Sequence, residues 1–308
     1  MAEIPSESIK QAARRAGFDL VGITSAEPLG QANFFRDWLA QGFQGDMEYL
    51  RRHIETRCDP RRLFPGARRI ICTALSYYTG PANLPVAPSQ GRIARFAWGW
   101  DYHIVMKVKL VRLMDEIRLL AGPSVRMRAF VDTAPVLEKC LAARAGLGWI
   151  GKNSLLLHPQ FGSWLVLGEI ITDLELSCDS PLADGCGKCT RCLEKCPTAA
   201  LVQPCCLDAR RCLSYLTLES KKPIPAEFAG RMNQFILGCD LCQDACPYNQ
   251  NPRLPERSAF QPCRQALNLD ELLSLDETAF QETFAGSSLL HAGLTRLQQS
   301  ARLVRHNP

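Results

Sequence analysis

The chain has 308 residues, enough for two or three folded units. Its hydrophobic content of 46% and charged content of 22% are those of an ordinary globular protein and exclude the disordered, collagen-like and coiled-coil classes. A net charge of +5 says little alone. The polar start MAEIPSESIKQAARRAGF and the lack of an 18-residue apolar run predict a cytoplasmic protein without a membrane span.

In chain order, residues 6–16 read as a helix with Ile9, Ala12, Ala13 and Ala16 on one face, and 18–24 as a strand. Helical patterns follow at 31–41 and 46–53. Arg69 to Ser76 (RIICTALS) reads as a buried strand, and 79–91, with Pro81, Pro85 and Pro88, as a loop. A long helix is predicted from Tyr102 to Leu120, with Val105, Val108, Leu110, Val111, Met114 and Ile117 as its apolar stripe. Then come a strand at 125–131, a helix at 135–145, and strands at 154–157 and 164–171. This alternation predicts an α/β domain over residues 1–176. From Cys178 to about Pro255 the chain turns cysteine- and proline-rich with few apolar runs, so metal has to hold it together. Helical patterns return at 264–275, 276–284 and 292–304.

Fifteen cysteines in a protein without an export signal point to metal rather than disulfides. Cys186-x2-Cys189-x2-Cys192-x3-Cys196-Pro197 has the spacing of a bacterial ferredoxin half-motif. Its three closely spaced thiolates reach one 4Fe-4S cubane, and the fourth turns away to another. A second set, Cys239-x2-Cys242-x3-Cys246-Pro247, lacks one cysteine. One cluster then takes Cys186, Cys189, Cys192 and Cys246. The other takes Cys196, Cys239, Cys242 and one of Cys205, Cys206 or Cys212, with Cys212 preferred because a packed helix around 207–218 fixes it. Zinc is the competing metal, but its paired Cys-x2-Cys sites do not explain the third x2 step or the x3-Cys-Pro. Cys58, Cys72, Cys140, Cys178, Cys205, Cys206 and Cys263 are read as small hydrophobes. The predicted class is therefore α+β: the α/β domain, a ferredoxin-like domain with two 4Fe-4S clusters over 177–256, and a short helical, HEAT-like segment over 257–308.

Gly146-x-Gly148-x-x-Gly151 matches a dinucleotide fingerprint, but a helix precedes it and a strand follows, the reverse of what that motif needs. Asp132, in FVDTAP, is either a helix N-cap or an acid at a strand end. His103, beside Asp101 and among Trp98, Trp100 and Tyr102, and His158 read more readily as structural than as catalytic. Arg51, Arg52, Arg57, Arg61, Arg62, Arg68 and Arg69 face only Glu55 and Asp59 in sequence, a pattern that suits phosphate or a solvated face.

Several segments together resemble one family: TRCDPRRLFPGARRII (56–71), RFAWGWDYH (95–103), FVDTAPVLEK (130–139), GLGWIGKNSLLLHPQFGSWLVLGEI (146–170), LDARRCLSYLT (207–217) and GCDLCQDACPYN (238–249). They look like the epoxyqueuosine reductases, and the likeness runs over residues 1–255. The resemblance implies base-off cobalamin in the N-terminal domain, two 4Fe-4S clusters delivering single electrons to it, and reduction of epoxyqueuosine to queuosine at the wobble position of tRNA. It makes Asp132 the proton donor and Cys212 the eighth cluster ligand. It points to Arg57 at the cofactor's polar periphery, joined by Tyr102, Asn153, Ser154 and His158, and it reads the three glycines as a close approach to the corrin. A donor aspartate must be protonated in use, so burial beside cobalamin is expected to raise its pKa. Family members commonly continue into helical repeats that help hold tRNA, whereas this sequence stops at Pro308. Lys221, Lys222, Arg296, Arg302 and Arg305 are further phosphate candidates. The electron donor is unidentified, and a monomer is the default. Two other readings are a reductive dehalogenase-like enzyme acting on a small molecule and a ferredoxin-type electron carrier.

Overall fold

The computed structural model describes residues 4–82, 86–255, 260–261 and 264–306. In these, eleven strands follow in chain order: β1 (Leu20–Ser25), β2 (Arg69–Ser76), β3 (Gln90–Ile93), β4 (Met127–Phe130), β5 (Trp149–Ile150), β6 (Leu156–Leu157), β7 (Leu165–Thr172), β8 (Leu201–Gln203), β9 (Cys206–Leu207), β10 (Phe235–Leu237) and β11 (Ala266–Asn268). The main sheet has the order β1-β2-β7-β4, antiparallel throughout.

β2 and β7 are apolar along nearly their whole length because both faces of the sheet are covered. Alternate residues go to opposite sides. Ile71, Leu75, Val166 and Ile170 meet the helices Ser6–Arg15 and Tyr102–Ala121; Ile70, Cys72, Ala74, Leu167 and Ile171 meet the helix Glu138–Arg144. Each fully buried isoleucine contributes about 2 kcal/mol. The long helix turns a different stripe inward from the expected one. Met106, Leu110, Leu113 and Ile117 are buried, while Val108 and Val111 are exposed. Its sequence carries two overlapping apolar stripes, and periodicity alone cannot choose between them.

A second sheet, β10-β3-β11, takes one strand from each of the three segments distinguished by composition. β3 pairs in parallel with β10 and antiparallel with β11. A hydrophobic cluster uniting Ile93 and Trp98, Leu213 to Leu237, and Leu267 to Val304 packs around this sheet. Three local expectations change. Residues 46–53 form turns around a short 3-10 segment, Glu48–Leu50, and His53 takes a left-handed φ of 58°. The 264–275 segment opens with β11 before its helix Leu269–Ser274. The expected helix at 135–145 starts only at Glu138, with Leu137 at its N-cap. Cys263 lies outside the described residues. Among the described residues no helix is long and apolar enough to cross a membrane.

Candidate functional site

A cavity of about 300 Å³ lies between the main sheet and the cysteine-rich module. Tyr102, Asp132, Glu138 and Lys139 line one part of it; Ser214, Cys239, Asp240 and Gln243 line another. It therefore joins titratable groups of the α/β half directly to a thiol of the predicted second cluster.

Asp132 sits two residues beyond β4, in a left-handed turn with φ 57°. It is too far from the helix Glu138–Arg144 to cap it, which removes the N-cap reading. Its side chain is 59% exposed and accepts a 2.8 Å hydrogen bond from Tyr102 Oη, with His103 Nε2 at 3.5 Å. The His103 interaction, then the Tyr102 hydrogen bond, hold the Asp132 carboxyl below the usual range despite some burial. The chain's own neighbours thus lower this carboxyl, and the rise expected beside cobalamin would have to come from the bound group. His103 moves the other way: Asp132, then Asp101, push it up against the opposing effect of burial.

The proton can be placed by counting donors. Asp101 caps the long helix, accepting from the His103 backbone N–H at 2.9 Å, and its carboxylate also meets His103 Nδ1 at 2.8 Å and His291 Nε2 at 2.7 Å. An ionised carboxylate only accepts, so both ring nitrogens donate to it. His103 Nε2 then faces Asp132 with room for one proton, held either by the imidazolium or by the carboxylic acid. Glu138, six residues further on, is pushed up to about 8 by burial and by Asp132, which favours its protonated form. Glu169 on β7 is fully buried, neither of its carboxylate oxygens has a hydrogen-bond partner, and burial raises it well above the carboxylate range. Sequence reasoning missed both glutamates; Glu138 stands inside FVDTAPVLEK, and its spacing from Asp132 was the available signal.

The other expected cofactor residues divide. Arg57 is 9% exposed, donates from Nη2 to Tyr49 O at 3.0 Å, and leaves its buried Nε without a partner. Asn153 Nδ2 and Ser154 Oγ are likewise buried and unpartnered. Such orphans are rare in a folded interior and suit a polar group bound from outside the chain. Asn153, however, lines a different cavity, the one beside Cys186. His158 lines neither: its Nδ1 accepts from the backbone N–H groups of Gln160 and Phe161, and burial lowers it to about 4, which favours the neutral ring. The glycines also have another purpose. A Cβ on Gly148 would lie 2.1 Å from Leu157 O and one on Gly146 2.7 Å from Ser180 O, so they admit the protein's own backbone.

The thiols gather into two groups. Cys186, Cys189, Cys192 and Cys246 line a cavity of about 230 Å³, where Trp149 Nε1–H points at Cys186 Sγ from 3.5 Å. Cys196, Cys212, Cys239 and Cys242 influence one another electrostatically, and burial pushes Cys212, Cys239 and Cys242 upward. Buried thiols without a metal are costly to ionise; iron replaces their protons and relieves that cost. Cys206 is buried apart, and Cys205 Sγ contacts Ile150 O. The arginine run does not form one patch: Arg57 points inward, Arg61 pairs with Asp59 and Glu27, and Arg68 and Arg69 pair with Glu175.

Fold and site together define an iron–sulfur oxidoreductase with a cavity next to its cluster module. Residues 57–133 match the family model described as epoxyqueuosine reductase QueG, DUF1730, and residues 185–249 match the 4Fe-4S double cluster binding domain. An epoxyqueuosine reductase from Gloeobacter violaceus is 42% identical over 96% of this chain and 93% of its own. The chain belongs to the epoxyqueuosine reductase family. A crystal structure of an epoxyqueuosine reductase with an epoxyqueuosine-modified tRNA stem loop superposes with a TM-score of 0.89 at 32% identity, covering 98% of this chain and 81% of that one. A Bacillus subtilis epoxyqueuosine reductase, 31% identical with a TM-score of 0.88 over the same shares, has been solved with an aspartate-bearing catalytic loop swung out of its active site. A catabolic reductive dehalogenase shares only the fold, at 18% identity and a TM-score of 0.53 over 82% of this chain and 33% of its own.

Proposed function

We propose that this chain reduces the epoxide of epoxyqueuosine in a tRNA anticodon loop to the alkene of queuosine. The observation that carries the reading is the cavity lined by both Asp132 and Cys239, which sets a proton source and an electron source around one space. The overall change consumes two electrons and two protons, breaks both bonds from carbon to the epoxide oxygen, and releases that oxygen as water. Bound cobalamin would supply a low-valent cobalt centre there, with Arg57, Tyr102 and Ser154 at its edge. Cys186, Cys189, Cys192 and Cys246 hold one 4Fe-4S cluster; Cys196, Cys212, Cys239 and Cys242 hold the one nearer the cavity. An external one-electron carrier reduces them.

Asp132 takes the proton shared with His103 and delivers it to the epoxide oxygen as charge develops, a role worth on the order of 10²–10⁴-fold in rate. Tyr102 holds the carboxyl in place during that transfer. Glu138 holds a second proton close by. The turn at Asp132 lets the acid reach outward, since its side chain is more than half exposed. Lys221 and Lys222, both exposed, follow shortly after Glu219, whose carboxyl senses Asp132; exposed Tyr49 senses both acids. These groups offer phosphate contacts and a stacking face to the anticodon loop.

Asp132→Asn tests the reading. It should keep its iron and bind cobalamin, yet lose at least 100-fold in single-turnover rate on epoxyqueuosine-containing tRNA. Full loading with a near-normal rate removes Asp132 from the chemistry. Turnover of the free nucleoside as fast as the tRNA, with no salt dependence, argues for a small-molecule substrate instead.

A further inference from the structure

The proton-holding pair at the cavity is tied to a distant part of the chain. His291 lies in the short helix Leu289–Ala292, 190 positions from Asp101, yet its Nε2 is 2.7 Å from Asp101 Oδ2. This contact is built in. Asp101 N donates to Gly286 O at 2.8 Å, Trp100 and Ser287 form a backbone bridge, and a Cβ on Gly286 would come within 2.6 Å of the Trp100 ring. The rings of His103 and His291 lie 5.1 Å apart. Asp101 is 7% exposed, whereas the His291 side chain is 58% exposed. A line of groups therefore runs from solvent to the cavity: His291, Asp101, His103, Asp132. The first three lie within ligand distance of one another, but the two rings already spend a nitrogen each on the Asp101 carboxylate, so the arrangement is a hydrogen-bonded line rather than an open metal site.

We propose that His291 is a positioning residue which, acting through Asp101, sets how readily His103 passes its proton to Asp132. The inference rests on the proton-delivery role of Asp132 given above. Burial alone would raise Asp101, but the His103 backbone N–H, the His291 ring and the His103 ring outweigh it and hold it low. Each of these donors also absorbs part of the negative charge that Asp101 turns on His103. Removing His291 returns that charge to His103, which then grips its proton more tightly and releases it less readily. Among the described residues, the other ionisable groups around the pair are Tyr102, which also interacts with Asp101, and Glu138 and Lys139, which face Asp132.

The test is a histidine NMR titration of the full chain without substrate, in which only five imidazoles contribute and His103→Gln identifies the signal. His291→Ala should raise the His103 midpoint by about half a unit to one unit. His291→Gln, whose amide still donates to Asp101, should restore most of it. Single-turnover rates at neutral pH should fall by up to about tenfold in the alanine variant, with the pH profile displaced in the same direction and cofactor loading unchanged. An unmoved His103 midpoint in the alanine variant, or a glutamine variant that behaves like alanine, overturns the proposal. A shifted midpoint in a protein that does not act on tRNA leaves this coupling intact and removes the function it was attached to.

Discussion

The main sheet and the cysteine module bury their side chains to opposite effect. In the sheet, Ile70, Ile71, Ile170 and Ile171 are completely buried, and each stabilises the fold by leaving water. In the module, the helix Arg191–Lys195 buries none of its residues, and the helix Leu241–Asp244 is a single turn. Its apolar residues, Leu213, Leu216, Ile236 and Leu237 among them, join the second core, but it also encloses thiols: burial pushes Cys239 and Cys242 upward, a cost relieved when metal takes the place of their protons. The two regions meet through a small buried network. Ser163 N donates to Asn249 Oδ1 at 2.8 Å, Asn249 Nδ2 donates to Ser163 Oγ and to Gln243 O, and Ser163 Oγ donates to Gln243 Oε1 at 2.8 Å. Gly162, at φ 63°, is required there, because a Cβ would sit 1.9 Å from Asn249 Oδ1.

The contrast is broken most forcibly by removing thiols from one group. Cys212→Ser with Cys239→Ser should lower iron after anaerobic reconstitution from about eight atoms per chain to about four. Amide exchange should accelerate sharply around 239–249 while Ile70 to Leu75 stay protected. Equal loss of protection in both regions would mean that they unfold as one unit. A smaller effect is expected at the junction. Asn249→Ala leaves Ser163 and Gln243 with unmet hydrogen-bonding capacity and should cost about 2–3 kcal/mol, read from denaturant midpoints. A change of a few tenths would show that the network is not what joins the halves.

The finest test uses pH. Glu138 has a folded pKa of about 8 against an ordinary 4.5, so the folded state binds its proton more tightly than the unfolded chain does. Wild-type stability at this site is therefore full below about 4.5, declines between 4.5 and 8, and is constant above. Glu138→Gln cannot titrate. Its Tm relative to wild type should climb across that window and then level off. Parallel curves from pH 5 to 9 would place Glu138 in an ordinary aqueous setting.

How much was legible depended on the length of each signal. β2 and β7 are eight-residue apolar runs, and the cysteine spacings are local, so both stand out in the sequence. β3, β10 and β11 have three or four residues each and pair across segments far apart in the chain, so no periodicity announces them. The 46–53 segment has a helical composition, but its turns are fixed by packing rather than by propensity, as the hydrogen bond from Asp46 N to Tyr215 Oη illustrates. At the site, Asp132 is reached through the FVDTAP segment, whereas His103 reads as a structural histidine because, of its partners, only Asp101 is a sequence neighbour; Asp132 and the His291 behind Asp101 are brought in by the fold. At His158 the fold adds what the sequence does not show: Nδ1 accepts from the backbone of its own turn, so any other partner has to be met by Nε2.

The small sheet also imposes an order of events on a ribosome. β3 leaves the exit tunnel long before β10, its parallel partner, has been translated, and β11 comes later still. The helix Leu294–His306, which seals this core through Leu297, Ala301 and Val304, follows β11 in turn. The main sheet can close once β7 emerges; the second core has to wait for β11 and the helix Leu294–His306. During that interval Cys239 and Cys242 lack the roof under which they are later buried. Iron offered to the nascent chain meets open thiols, whereas iron offered after release meets a nearly finished enclosure. Cluster assembly in this protein is therefore expected to be sensitive to when iron and sulfide arrive relative to synthesis of the helix Leu294–His306.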